Sequence, residues 1–177
     1  MRKVLIVPHD PTWKVMFERE SVCISHVLRE NVVAIHHIGS TAIPGIYAKP
    51  IIDILVEVKK IAGLDDPLPM ASLGYEAMGE FGIAGRRYFR KENAHKRTHH
   101  VHVFEAGSAQ VTRHLAFRDY MLAYPEDAQR YSELKRRLAR EYPTDIEKYM
   151  DGKDGFIQAI DEKAAFWMMR TITNATT

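Results

Sequence analysis

Hydrophobic positions change period several times along the chain, and each change marks an element. The run Val4-Leu5-Ile6-Val7 reads as a short edge strand or extended arm, and Pro8-His9-Asp10-Pro11 breaks it before Thr12, a plausible helix cap. Trp13, Met16, Phe17, Ile24, Val27 and Leu28 then recur at helical spacing. Lys14, Glu18, Arg19, Arg29 and Glu30 take the opposite face, so an amphipathic first helix is expected. Val32-Val33-Ala34-Ile35 and Ile38 read as a buried strand closed by Gly39-Ser40-Thr41. Pro50 to Val58 reads as a second strand, apolar almost throughout, as a central strand covered on both faces would be. Asp53 is the conspicuous exception within it.

The pattern from Ile61 to Leu73 is a weak helix, interrupted by Asp65-Asp66-Pro67 and Pro69 and capped by Gly74. Gly79, Gly82 and Gly85 space a loop into Arg86-Arg87-Tyr88-Phe89-Arg90-Lys91, which is expected to pair antiparallel with Thr98 to Glu105. Beyond Gly107-Ser108 the period becomes helical, carried by Leu115, Phe117, Tyr120 and Met121, then Tyr131, Leu134 and Leu138, then Phe156, Ile157, Ile160, Ala164 and Trp167. Pro125, Pro143 and Gly152 supply the breaks. With no repeat and no long linker, one domain over residues 1–177 is expected, its sheet core spanning about 1–108 and its C-terminal helices about 109–172.

Composition narrows the classes further. Of 177 residues, 46% are apolar and 27% charged, which suits a globular chain that folds unaided. A net charge of +2 is too small for bulk nucleic-acid binding, which draws on many phosphate contacts at once. Cys23 is the single cysteine, so no intrachain disulfide or four-thiolate zinc site can form, and a reducing, cytoplasmic setting is expected. Cys23 itself reads as a small, semi-buried apolar residue of the first helix rather than a nucleophile. The apolar run after Met1-Arg2-Lys3 is far too short for a signal or membrane segment.

The chemistry concentrates between Ile38 and Asp53. A glycine just past a strand lets a phosphate approach the backbone closely, and Ser40 adds a hydroxyl donor beside Gly39. On the following strand Asp53 supplies the hard oxygen that magnesium prefers, and Lys49 adds nearby positive charge. His100 and His102 share one face of a later strand by period-two alternation, with His99 and Val101 on the other. Asp53, His100 and His102 together could form a mixed oxygen and nitrogen site, imidazole shifting the preference from magnesium toward zinc, manganese or iron. Neutral histidines could equally act as acid or base, or bond phosphate directly. Among the basic residues near this strand Arg87 is the candidate phosphate clamp, because it directly precedes the aromatic pair. The helical basics Arg113, Arg118, Lys135, Arg136 and Arg137 read as a mostly solvated face, with His114 and Arg118 kept as rim residues.

The blocks His37-Ile38-Gly39-Ser40-Thr41-Ala42-Ile43-Pro44-Gly45 and Lys49-Pro50-Ile51-Ile52-Asp53-Ile54 resemble the signature of the GrpB family of bacterial proteins, members of the polymerase-beta-like nucleotidyltransferase superfamily. The likeness continues in Arg86-Arg87-Tyr88-Phe89, His100-Val101-His102-Val103, His114-Leu115-Ala116-Phe117-Arg118-Asp119-Tyr120 and Lys153-Asp154-Gly155-Phe156-Ile157, covering nearly the whole chain. The resemblance implies an α/β fold of α+β type: a nucleotidyltransferase-like small mixed sheet with flanking helices and a helical C-terminal part. It implies a nucleotide or phosphorylated small molecule as ligand and a divalent metal (Mg, Mn or Zn) as cofactor. Gly39, Ser40, Lys49 and Arg87 would bind phosphate, Asp53 and His102 would be catalytic, and Asp53, His100 and His102 would hold the metal.

One position departs from the superfamily pattern. Where Asp-x-Asp or Asp-x-Glu supports two-metal transfer, the second carboxylate here is Leu55. Glu57 shares the face but sits on the order of 13 Å from Asp53 along an extended strand, so it reads as a plain strand-end or surface carboxylate. A transferase, a non-catalytic phosphometabolite-binding module and a metal-dependent hydrolase using Asp53, His100 and His102 therefore all stay open. Relatives in which such a domain follows a dephospho-coenzyme A kinase imply a coenzyme A connection.

Overall fold

The computed structural model describes residues 3–175; Met1 and Arg2, the start of the N-terminal run, lie outside the described residues, as do Thr176 and Thr177. The first helix, α1 (Thr12–Leu28), starts one residue beyond Pro11, and its opening is tied by Asp10 rather than Thr12. Asp10 Oδ1 accepts from Thr12 N at 2.8 Å and from the Thr12 hydroxyl at 2.7 Å. Trp13, Ile24 and Leu28 are its buried residues. Cys23, expected semi-buried, is exposed, because it falls off the Trp13–Ile24–Leu28 stripe.

Five strands follow: β1 (Val32–Ile38), β2 (Ile52–Val58), β3 (Tyr75–Ala77), β4 (Arg87–Asn93) and β5 (Lys96–Glu105). Their order is β1-β2-β5-β4-β3, with β2 and β5 parallel and every other pair antiparallel, so the sheet is mixed. Strand β3 falls in the stretch where the sequence shows only a loop; it is three residues long, too short to display a period. The weak helix after Ile61 resolves into a short turn and α2 (Leu68–Ala71), split where the prolines fall. Three helices complete the chain: α3 (Ala109–Ala123), α4 (Pro125–Glu141) and α5 (Ile146–Ala175).

These elements sort into two compact units that interleave along the sequence. The sheet unit comprises Asp10–Ala42 and Ile51–Thr112; the helical unit comprises the chain up to His9, Ile43–Pro50 and the chain from Arg113 onward.

Within the sheet unit the two faces differ. Ile52, Ile54, Val56 and Val58 are fully buried along one face of β2. Helix α1 lies on that face, with the Phe17 ring stacked on His37 at 4.8 Å and Glu20 taking the Lys91 ammonium at 2.8 Å. His99 also belongs there, its ring edge-on to Tyr75 at 6.5 Å. The opposite face carries the polar residues. Register sets Ile38, Asp53, His100 and Arg90 in one row across it, and His36, Leu55, His102 and Tyr88 in the next.

In the helical unit, Ile43 and Ile46 enter a cluster with Ala116, Tyr120, Met121, Ala128, Tyr131, Ile160 and Ala164. The Ile43–Pro50 segment is pinned by Tyr47 N donating to Ser132 Oγ at 2.8 Å. Residues 4–7 form an extended arm, with Val7 bridged to Ala48 and Val4 N donating to the Pro143 carbonyl at 2.9 Å. Gly152 lets α5 lie tight on α4, since a Cβ there would stand 2.6 Å from Leu138 Cδ2. Among the described residues no helix is long and apolar enough to cross a membrane.

Candidate functional site

The site is built where β1 ends against β2. Ile38, the last residue of β1, pairs with Asp53, so the residue just past the strand meets the Asp53 side chain. That residue is Gly39, with φ +71, and a Cβ there would lie 2.5 Å from Asp53 Oδ2. Glycine is required here on both counts: the left-handed backbone and the carboxylate pressed against it. The close approach that the sequence assigned to a phosphate is made by Asp53 itself.

Across the sheet, Asp53 Oδ1 lies 3.1 Å from His100 Nδ1 and 3.7 Å from His102 Nε2. Strand alternation put His100 and His102 on one face, and the parallel pairing of β5 with β2 brings that face to Asp53. The carboxylate can only accept, so His100 carries its proton on Nδ1. Its other nitrogen, Nε2, is buried with no hydrogen-bond partner among the described residues. Burial alone would raise the Asp53 pKa. Hydrogen bonds from His100 and His102, and the electrostatic attraction of their rings, outweigh it and hold the carboxyl well below the usual carboxylate range.

His102 is set by a second neighbour. Arg86 Nη1 stands 3.3 Å from His102 Nδ1, and guanidinium can only donate, so His102 carries its proton on Nε2, facing Asp53. Arg86 is itself 6% exposed, its Nε donating to the Glu80 carbonyl at 3.1 Å and its Nη2 to the Phe81 carbonyl at 2.6 Å. Phe81 adopts φ +46, a left-handed conformation unusual for a side chain of that size, and its ring stacks on Tyr88 at 5.2 Å. Tyr88 packs against both histidines, 5.6 Å from His100 and 5.2 Å from His102 between ring centroids. Burial pushes its hydroxyl pKa up, and the Asp53 charge adds to that.

Not every candidate joins the cluster. Arg87 points to the other face, where its Nε and Nη2 donate to Asp65 Oδ1 at 2.9 and 2.6 Å. The guanidinium at the cluster is its neighbour Arg86. Ser40 opens the short turn Ser40–Ala42 directly after Gly39. Lys49 belongs to the helical unit, its ammonium 4.4 Å from the centre of the Tyr149 ring. Arg118 pairs with Asp119 at 2.8 Å and Arg113 with Asp161 at 3.1 Å, both also in the helical unit. Glu57 is no surface carboxylate: it takes His36 Nε2 at 2.7 Å with its side chain 14% exposed. Lys135, expected among solvated basics, is 2% exposed. Leu55 is fully buried in the position between His36 and His102.

A divalent ion would need its donors turned to one point. Asp53 Oδ1 is engaged by His100, His102 Nδ1 faces Arg86, and the adjoining strand position is Leu55. Among the described residues no group of three or more His, Cys, Asp or Glu side chains is placed to hold a metal ion. As arranged, this donor set does not fit one.

Fold and site define an α+β protein with a mixed five-stranded sheet and an Asp-His-His-Arg cluster on one sheet face. The family of GrpB proteins matches residues 3–163, and the chain belongs to that family. It superimposes on the crystal structure of the conserved protein GrpB from Enterococcus faecalis with a TM-score of 0.87 and 43% identity, covering 92% of this chain and 99% of that one. It is 46% identical over 167 residues to the UPF0157 protein YqkA of Bacillus subtilis, covering 94% of this chain. A more distant likeness, 26% over 189 residues, is to a dephospho-CoA kinase of Mycolicibacterium paratuberculosis. The chain spans about half the length of these two relatives, 48% and 46% respectively.

Proposed function

We propose that the chain binds a nucleotide or other phosphorylated small molecule at the Asp53–His100–His102 face, and that His100 serves there as acid or base. The observation that carries this reading is His100 Nε2, a buried ring nitrogen without a partner among the described residues, oriented from behind by a carboxylate. A polar atom buried that way is costly to leave unmatched, and a ligand hydroxyl donating to it would match it. Asp53 fixes the tautomer and ring orientation, and Arg86 keeps His102 presenting its Nε2–H. The likeness to a dephospho-CoA kinase, an enzyme whose name denotes phosphoryl transfer, supports a phosphate-bearing ligand. Buried Leu55 in place of a second carboxylate favours binding and acid–base chemistry over two-metal transfer.

Calorimetry with nucleoside triphosphates, coenzyme A and dephospho-coenzyme A tests the reading, run with magnesium, with manganese and with chelator. At least one ligand is expected to bind, and Asp53→Ala and His100→Ala are each expected to weaken it about tenfold or more, the loss of a charge-assisted contact. Absence of binding in every condition, or affinity indifferent to both substitutions, overturns it.

A further inference from the structure

Strand register carries the polar row through all five strands. Ile38 of β1 faces Asp53 of β2, Asp53 faces His100 of β5, His100 faces Arg90 of β4, and Arg90 faces Glu76 of β3. Residues paired this way project to one face at a spacing of roughly 5 Å, so carboxylate, imidazole, guanidinium and carboxylate follow one another across the sheet. Hydrogen bonds tie the two ends of the row. His100 Nδ1 donates to Asp53 Oδ1 at 3.1 Å, and Arg90 Nε donates to Glu76 Oε2 at 2.6 Å.

The middle of the row holds complementary groups. His100 Nε2 is a buried acceptor without a partner, and Arg90 makes no hydrogen bond through Nη1 or Nη2, both among the described residues. Its neighbours in the basic run are committed elsewhere. Arg86 spends its guanidinium on the Glu80 and Phe81 carbonyls and on His102, and Arg87 donates to Asp65 on the other face. Glu76 holds Arg90 only weakly: its side chain is 61% exposed, and water screens an ion pair so placed. The Asp53 charge repels an anion, so an anion settles on the far side of His100 from it. Arg90 stands there.

We infer that Arg90 is the oxyanion-binding residue of this face, taking two phosphate oxygens through Nη1 and Nη2, with Glu76 as the carboxylate that competes with the phosphate for it. A planar guanidinium fork matches a pair of phosphate oxygens, which a point-charge ammonium does not. The ligand class that results carries a phosphate and, beside it, a hydroxyl that donates to His100 Nε2. The inference rests on the reading of a phosphorylated ligand and assigns its anchor.

The test titrates the full chain with inorganic phosphate and inorganic pyrophosphate by calorimetry and phosphorus NMR, without divalent cation and at an ionic strength held constant with chloride. Arg90→Gln is expected to weaken binding about tenfold or more, the loss of a charge-assisted fork. Arg90→Lys keeps the charge without the fork and is expected to fall between the two; it also decides the matter if Arg90→Gln does not fold. Glu76→Gln is expected to tighten binding about twofold to fivefold, because a competing exposed carboxylate is gone. Arg87→Gln, on the other face, is expected to leave affinity unchanged. A purely structural role for the pair gives the opposite sign at Glu76, weaker binding with a lower thermal midpoint. Absence of phosphate binding, wild-type affinity in the Arg90 variants, or unchanged or weaker binding in Glu76→Gln overturns the assignment. A ligand that the preceding calorimetry shows to depend on Asp53 and His100 but not on Arg90 sinks this inference alone and leaves that reading standing.

Discussion

Asp53, His100 and His102 were legible in the sequence because strand alternation has a period of two and leaves little choice of face. The same parity separates Arg86 from Arg87. Adjacent residues of a strand point to opposite faces, and only the start of β4 at Arg87, paired with Val103, fixes which one faces His102. Lys135 was read as part of a solvated face and Lys153 was given no burial, because their charge hides the period they fall on. Lys135 falls on the stripe Ala128, Tyr131, Lys135, Leu138, and Lys153 lies between Tyr149 and Phe156, so both occupy positions that turn inward. Among single residues Asp53 has the clearest consequence for pH. Its folded pKa is depressed, so its contribution to stability is present above the unfolded value near ~4 and is lost as pH falls below it. Urea midpoints of wild type and Asp53→Asn are therefore expected to differ most above about pH 5 and to converge progressively as pH falls through about 4 toward the depressed folded value. A gap that stays constant through the acid range would show that the histidines do not hold the carboxylate.

At the scale of elements, β2 was read correctly as a central strand: it pairs with β1 on one side and β5 on the other. What the sequence could not reveal is how strictly its polar face is shared. Asp53 is half-buried and opens toward His100, whereas Leu55, two residues on, is completely buried. Introducing a second carboxylate by Leu55→Asp would therefore place a charge where water does not reach, flanked by His36 and His102 on the neighbouring strands. We expect it to cost about 3 kcal/mol or more of stability, read from the denaturant midpoint, and to confer no magnesium binding. A variant as stable as wild type would mean that this face of β2 is far more open than its burial indicates. Strand β3 and the split helix around Pro67 and Pro69 escaped the sequence for a simpler reason, since three or four residues cannot establish a period.

For the whole molecule, the interleaving of the two units decides which pieces can stand alone. The C-terminal helices look self-contained in sequence, yet their core includes Ile43 and Ile46, and a second cluster joins Val4 to Leu138 and Tyr149. A fragment beginning at Arg113 is expected to lack a cooperative urea transition by circular dichroism, because it forfeits those side chains. A sigmoidal unfolding curve from that fragment would show the borrowed residues to be dispensable. The borrowed segment also imposes a schedule. Ile43–Pro50 leaves the ribosome well before Pro125 opens α4, and at roughly 5–20 residues per second the interval lasts several seconds. Until the C-terminal helices emerge, two of the most deeply buried isoleucines of the finished protein have only the N-terminal arm of their own unit to lie against. Translation speed across the strands between them thus sets how long the nascent chain carries a sticky loop, and chaperone demand should follow codon usage there.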